Sequence, residues 1–190
     1  MRILMVEDVI GKPCRSAVRA LLPDLQREKS IDYVICTGEN TASGFDSTAD
    51  TASELLGSGA DALTSGNRIR DKKEIIPLMD EGLPLPLIRP ANYSDAPSRG
   101  YIHQGGVTVV NLMGRVCMAP SECSFLTDDA LLSQSKREGQ SKVMMIGFNA
   151  EATSEKQAMG WYLDDQVSAV LSTHTHVGTT YLNDVGMTGP

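Results

Sequence analysis

The chain has 190 residues, 41% of them hydrophobic and 22% charged, the balance of an ordinary globular protein. Its 17 basic and 24 acidic side chains leave a formal charge of −7. That argues against a nonspecific nucleic-acid binder, which would carry a basic face, but not against a small phosphate ester held through metal ions, since bound cations invert the local field. The length suits a single domain with a core of its own, and aromatics at 5% make that core mostly aliphatic.

In chain order, β-rich apolar runs occur at Ile3–Val6, Tyr33–Thr37, Ala60–Thr64, Val107–Leu112, Val143–Phe148 and Val167–Ser172. Helical patterns lie between them at Ser16–Gln26, Thr48–Leu56, Lys72–Met79, Asp128–Lys136 (with Thr127 as its cap) and Ser154–Trp161. Continuous rather than alternating apolar runs suit strands buried on both faces. Strands alternating with helices predict an α/β sandwich or a doubly wound sheet. The proline-rich stretch from Gly82 to Gly100 reads as irregular, a lid or an insertion, with no domain boundary.

The opening Met1–Asp8 is expected not to be a signal peptide, because its apolar run is short and ends in two acids. No run approaches a membrane span. Cys14, Cys36, Cys117 and Cys123 form no CxxC pair, so they read as reduced thiols of a cytoplasmic protein. Cys14, near a helix start, has no histidine close in sequence to make it a catalytic thiol.

The residues just past each strand carry the chemistry. Ile3–Val6 leads to Glu7-Asp8, Tyr33–Thr37 to Gly38-Glu39-Asn40, and Ala60–Thr64 to Ser65-Gly66-Asn67-Arg68. Val143–Phe148 leads to Asn149, and Val167–Ser172 to Thr173-His174-Thr175-His176. In open α/β sheets the functional crevice lies outside the carboxyl ends of the strands. Glycines 11, 38 and 66 are expected to let the backbone turn sharply there. Residues i and i+2 of extended chain face one side, so His174 and His176 can reach one site. They are two of only three histidines; the third, His103, reads as structural or surface. Carboxylates, carboxamides and imidazoles together suit Mn, Fe, Zn or Co better than Mg or Ca. A carboxylate such as Glu39 can bridge two ions, and two adjacent ions can clamp a phosphoryl group.

The segments Asp8-Val9-Ile10-Gly11, Gly38-Glu39-Asn40, Ser65-Gly66-Asn67, Asp71-Lys72-Lys73-Glu74-Ile75, Arg89-Pro90-Ala91-Asn92, Ala150–Lys156, Thr173–Val177 and Asp184–Pro190 resemble, in order, the YmdB-like branch of the calcineurin-type metallophosphoesterases. The resemblance implies a four-layer α/β/β/α sandwich in one domain, a dinuclear transition-metal site (Fe or Mn first, Zn second) and hydrolysis of cyclic nucleotides, typically the 2′,3′ kind. It implies Asp8, Glu39 and His176 on one metal, and Glu39, Asn67 and His174 on the other. Asn40 would stand by the first as ligand or phosphate contact. It also suggests homo-oligomers.

This sequence departs from that pattern in three places. The family's Gly-Asn-His reads Gly66-Asn67-Arg68. Arg68 can bind a phosphate oxygen, but its pKa above 12 bars it from protonating a leaving oxygen. Asn149 stands where the family has a histidine, which weakens the second metal site. The chain is also expected to be shortened, both between Val177 and Asp184 and after Pro190. A partial chain, a decayed copy and a natural minimal variant all fit that.

Two functions compete on these residues. One is a metal-dependent phosphodiesterase slowed by Arg68 and Asn149, with Asn67 and Arg68 holding the phosphate. The other is a regulatory protein that binds metal or nucleotide without turnover. A response-regulator receiver, suggested by Ile3–Asp8, fails because Ser65-Gly66-Asn67 comes after the third run where a phosphoacceptor Asp is needed.

Overall fold

A computed structural model describes residues 1–41, 48–67, 85–93, 99–138 and 143–175, with the backbone alone for 135–138. The sequence-predicted helix Lys72–Met79, and the segments at Asp71–Ile75 and Asp184–Pro190, lie outside these residues, as do Arg68 and His176. Among the described residues no helix is long and apolar enough to cross a membrane. The chain divides into two compact units, Met1–Arg89 with Asp95–Arg99, and Pro90–Ser94 with Gly100–Pro190.

The first unit holds β1 (Ile3–Val6), α1 (Gly11–Lys29), β2 (Tyr33–Thr37), α2 (Ala49–Gly57), β3 (Ala62–Thr64) and β4 (Leu87–Ile88). The strands pair in sequence order, all parallel. Helix α1 starts five residues before the sequence reading. Pro13 lies in its first turn, where a missing N–H costs nothing, and Pro23 is accommodated on an exposed face. It ends at Ser30, left-handed at φ 51°, whose N–H reaches the Arg27 and Gln26 carbonyls. Helix α2 starts at a reciprocal cap: Thr48 N–H donates to Thr51 Oγ1 (2.8 Å), and Thr51 N–H to Thr48 Oγ1 (3.3 Å). Thr48 is therefore the cap rather than the first helical residue. Val34, Cys36 and Leu63 pack with Leu22, Ala52 and Leu55 of the helices. The Cys36 thiol is fully buried in β2, and burial, with Asp61 adding to it, pushes it up to about 12. It is an inert core side chain.

The second unit holds β5 (Tyr101–Gln104), β6 (Val107–Met113), α3 (Ser124–Glu138), β7 (Val143–Asn149), α4 (Thr153–Tyr162) and β8 (Ala169–Thr173). β5 and β6 form an antiparallel hairpin, whereas β6, β7 and β8 run parallel. Gly105 and Gly106 make the hairpin turn with φ of 60° and 79°, a conformation that few other residues accept. His103 is exposed and pairs with Thr108 across the hairpin at 3.0 Å. The core here joins Val110, Leu112, Ile146 and Phe148 to Leu132, Met159 and Leu163. The two sheets and their helices bear out the α/β expectation, and the cores are aliphatic apart from few rings such as Phe148.

Helix α3 corrects the sequence reading at its start. Thr127 N–H donates to the Cys123 carbonyl, so Thr127 lies inside the helix and caps nothing. The earlier start places Ser124 and Asp128 one turn apart, both buried. Neither the Ser124 hydroxyl nor either Asp128 oxygen meets a hydrogen-bonding partner among the described residues. Burial, with Asp129 adding to it, pushes the Asp128 carboxyl up to about 7. Because the folded value lies above the unfolded one, this group supports the fold fully below about pH 4. That support is lost as pH rises through about 7, at up to ~1.4 kcal/mol per pH unit. Asp128→Asn should flatten this part of the stability–pH curve. Urea titrations of both proteins between pH 4 and 7.5 would check it, and an equal slope in the two would rule the assignment out.

Candidate metal and phosphate site

Because β1, β2 and β3 are parallel, their carboxyl ends share one edge of the first sheet. Asp8, Glu39 with Asn40, and Asn67 come just after those ends. Two of the turns are pinned by the backbone: Gly38 N–H donates to the Thr64 carbonyl (2.7 Å), and Gly11 N–H to the Asn40 carbonyl (3.0 Å). Thr41 closes back on the Gly38 carbonyl through its hydroxyl (3.0 Å). Arg15, paired with Glu54 at 2.6 Å, also donates to the Thr41 carbonyl. The Gly38–Thr41 turn is thus held from three sides.

The glycines do different work from that expected. Of the three, only Gly11 has a positive φ, 61°. Gly66 lies against the Glu39 carboxylate, and a β-carbon there would stand 2.1 Å from Glu39 Cδ and 2.2 Å from Oε1. Glu39 itself is 2% exposed. Gly66 therefore matters for close approach and not for turning, a tertiary fact that local sequence does not carry. The sharp turn falls instead on Asp8, whose φ is 50°, where a β-carbon is tolerated at a cost.

In the second unit, β7 and β8 end side by side, with Asn149 registered against Thr173. Asn149 is buried and donates from Nδ2 to Thr173 Oγ1 at 3.1 Å. His174 comes next at φ 90°, its Nε2 3.3 Å from Glu151 Oε2. Lys156 Nζ donates to Thr175 Oγ1 at 2.9 Å. Just past the end of β6, the Arg115 N–H (2.8 Å) and the Val116 N–H (3.1 Å) donate to Glu155 of α4.

The oxygen donors present suit a divalent cation. Asn67 Oδ1 is buried and accepts no hydrogen bond from the described residues. A buried oxygen of this kind is costly without a partner, and a cation is one. Glu39 offers a buried carboxylate in a cradle that any side chain at 66 would fill. Among the described residues no three His, Cys, Asp or Glu groups gather into a cluster that would hold an ion. In the first unit the carboxamides of Asn40 and Asn67 stand beside Asp8 and Glu39 past the ends of β1, β2 and β3, and His176 lies outside the described residues. Sequence reasoning missed Asn92, Glu151 and Glu155. All three stand in segments that carry the family resemblance, Asn92 in Arg89-Pro90-Ala91-Asn92 and the two glutamates in Ala150–Lys156, but without an assigned role.

The family model described as YmdB-like protein matches residues 4–190. The chain belongs to the YmdB-like family. It is 42% identical over 206 aligned positions to a Bacillus subtilis protein named 2′,3′-cyclic-nucleotide 2′-phosphodiesterase, covering all of this chain and 76% of that relative. The aligned span exceeds this chain's 190 residues, so the relative carries additional residues inside the matched region. A crystal structure of a hypothetical protein from Thermus thermophilus is similar at a TM-score of 0.84 and 38% identity, over 94% of this chain and 69% of that one. A phosphatase from Mycoplasma pneumoniae shares the fold at a TM-score of 0.81 and 24% identity, over 92% and 64% of the two chains.

Proposed function

We propose that this YmdB-like chain is a cytoplasmic metal-dependent phosphodiesterase that opens 2′,3′-cyclic nucleotides or closely related phosphodiesters. The observation that carries the reading is the 42% identity, over the whole chain, to a relative named for that reaction. Asp8, Glu39, Asn40, Asn67, Asn149, His174 and His176 would supply the ligands of two transition-metal ions, iron or manganese. Bound there, such ions would neutralise phosphoryl charge and raise the acidity of water.

The chain's own residues do the rest. Glu39, packed against Gly66, presents its carboxylate from a fixed position. Asn67, past the end of β3, holds a buried neutral oxygen that accepts no hydrogen bond from the described residues. With Nδ2 engaged by Thr173, Asn149 has only its carbonyl oxygen left to give. Oxygen for nitrogen at this position lowers affinity for Zn relative to Mn or Fe(II). Arg68 offers parallel N–H donors to a phosphate oxygen, but no proton. Water adds to phosphorus and gives up a proton to solvent, the P–O bond to the ribose breaks, and the leaving alkoxide takes its proton from solvent.

The missing acid makes a measurable difference. A general acid is worth about 10²–10⁴ in rate when the leaving group is basic, and little when it is an activated phenol. With Mn²⁺ added, Arg68→His should raise hydrolysis of 2′,3′-cyclic AMP by at least ~10² while leaving an activated aryl phosphodiester nearly unchanged. An equal gain on both esters would remove the acid role from this position.

Arg68 and Asn149 favour a second reading, a metal- or nucleotide-binding regulator without turnover. Metal bound at stoichiometry with no diester hydrolysed would select it over the first.

A further inference from the structure

Thr173, the last residue of β8, and the two residues after it each face one residue of the segment Asn149–Lys156. Thr173 Oγ1 accepts from Asn149 Nδ2 (3.1 Å), His174 Nε2 lies 3.3 Å from Glu151 Oε2, and Thr175 Oγ1 accepts from Lys156 Nζ (2.9 Å). Residues 173–175 include the backbone outlier His174, at φ 90°. A residue with a β-carbon persists in that region only when its neighbours over-determine it. The outlying backbone angle and the three contacts together describe an imidazole whose orientation is set before any ligand arrives.

We propose that Glu151 is a positioning residue that fixes the ring of His174 through Nε2, leaving Nδ1 as the nitrogen that binds metal. The reasoning is tautomeric. A neutral imidazole carries one N–H and one lone pair. A carboxylate facing Nε2 holds the proton there, so the lone pair falls on Nδ1. Carboxylates that orient a ligating histidine in this way contribute about 10–100-fold to metal affinity. Glu151 is half exposed, with a side-chain exposure of 50%, so its contact adds little to global stability. Its effect falls on the ring. This inference rests on the metal-binding reading of the site.

The test begins on metal-free protein labelled with ¹⁵N-histidine, where long-range ¹H–¹⁵N spectra report each tautomer. Wild-type His174 should be the Nε2–H form. Glu151→Ala should convert it to a mixture, and Glu151→Gln, whose amide oxygen still accepts, should keep it. Mn²⁺ titration calorimetry should then show about a 10–100-fold weakening for Glu151→Ala and affinity within a few-fold of wild type for Glu151→Gln. Thermal melts of all three should coincide. An Nδ1–H tautomer in the wild type, or an unchanged tautomer and Mn²⁺ affinity in Glu151→Ala, overturns the proposal. If the wild type shows the Nε2–H form but takes up no Mn²⁺, the metal reading fails and carries the proposal with it. The tautomer spectrum separates that outcome from failure of the Glu151 contact alone.

Discussion

Gly66→Ala should abolish most of the activity with a single methyl group. Its β-carbon would stand 2.1–2.6 Å from the Glu39 carboxylate atoms, well inside van der Waals contact. Glu39 is 2% exposed, so its side chain has no open solvent to move into. The carboxylate must shift, the 65–67 turn must shift, or both. Overpacking of this kind costs about 1–3 kcal/mol of stability. A catalytic group displaced by ~1 Å costs on the order of 10²-fold in rate. Both losses are expected together, with weaker Mn²⁺ binding. Gly160→Ala is the matched control, since it lies inside α4 with nothing within 4 Å of the new β-carbon. There the methyl should stabilise by about 0.5–1 kcal/mol. Melting curves and Mn²⁺ titrations on both variants check the pair. Unchanged Mn²⁺ affinity in Gly66→Ala would show that the cradle is not what holds Glu39.

Asn92→Ala should be the most destabilising exchange outside the site. The side chain is completely buried. Its Nδ2 donates to the carbonyls of Met113 (2.7 Å) and Glu122 (3.0 Å), and lies 3.3 Å from Ser121 Oγ. Its Oδ1 accepts from the Met113 N–H at 2.8 Å. One carboxamide thereby ties the 90–93 turn to the end of β6 and to the loop before α3. Truncation leaves buried backbone groups without those partners, at about 1–3 kcal/mol each. The expected total is about 3–5 kcal/mol, in the range reserved for broken buried networks. In a chain this long that lowers Tm by roughly 10 °C. A Tm within about 3 °C of wild type, the shift expected from roughly 1 kcal/mol, would refute the network account.

The strand ends were legible because parallel strands buried on both faces leave continuous apolar runs, and such runs stop visibly at Glu7, Gly38, Ser65 and Asn149. The candidate residues Asp8, Glu39, Asn67 and His174 stand next to those stops, so position and chemistry coincided. The hidden features were set by partners distant in sequence. Asn92 works through groups 21 and 30 residues away, and Gly66 through a side chain on the neighbouring strand end. β4 was hidden by the prolines around it, because two residues are too few for a pattern. The start of α1 was masked by Pro13, and that of α3 by the weak helix formers Ser124 and Thr127.

Asp8 and His174 both hold left-handed backbone angles, a conformation that glycine would adopt without strain. Each therefore draws of the order of 1–3 kcal/mol from the fold in order to present a side chain at a strand end. Selection for thermal tolerance alone would pull both positions toward glycine and strip each strand end of its donor. Heat-resistant variants of this chain chosen without an activity screen should lose their chemistry at these two positions before the packing around them changes.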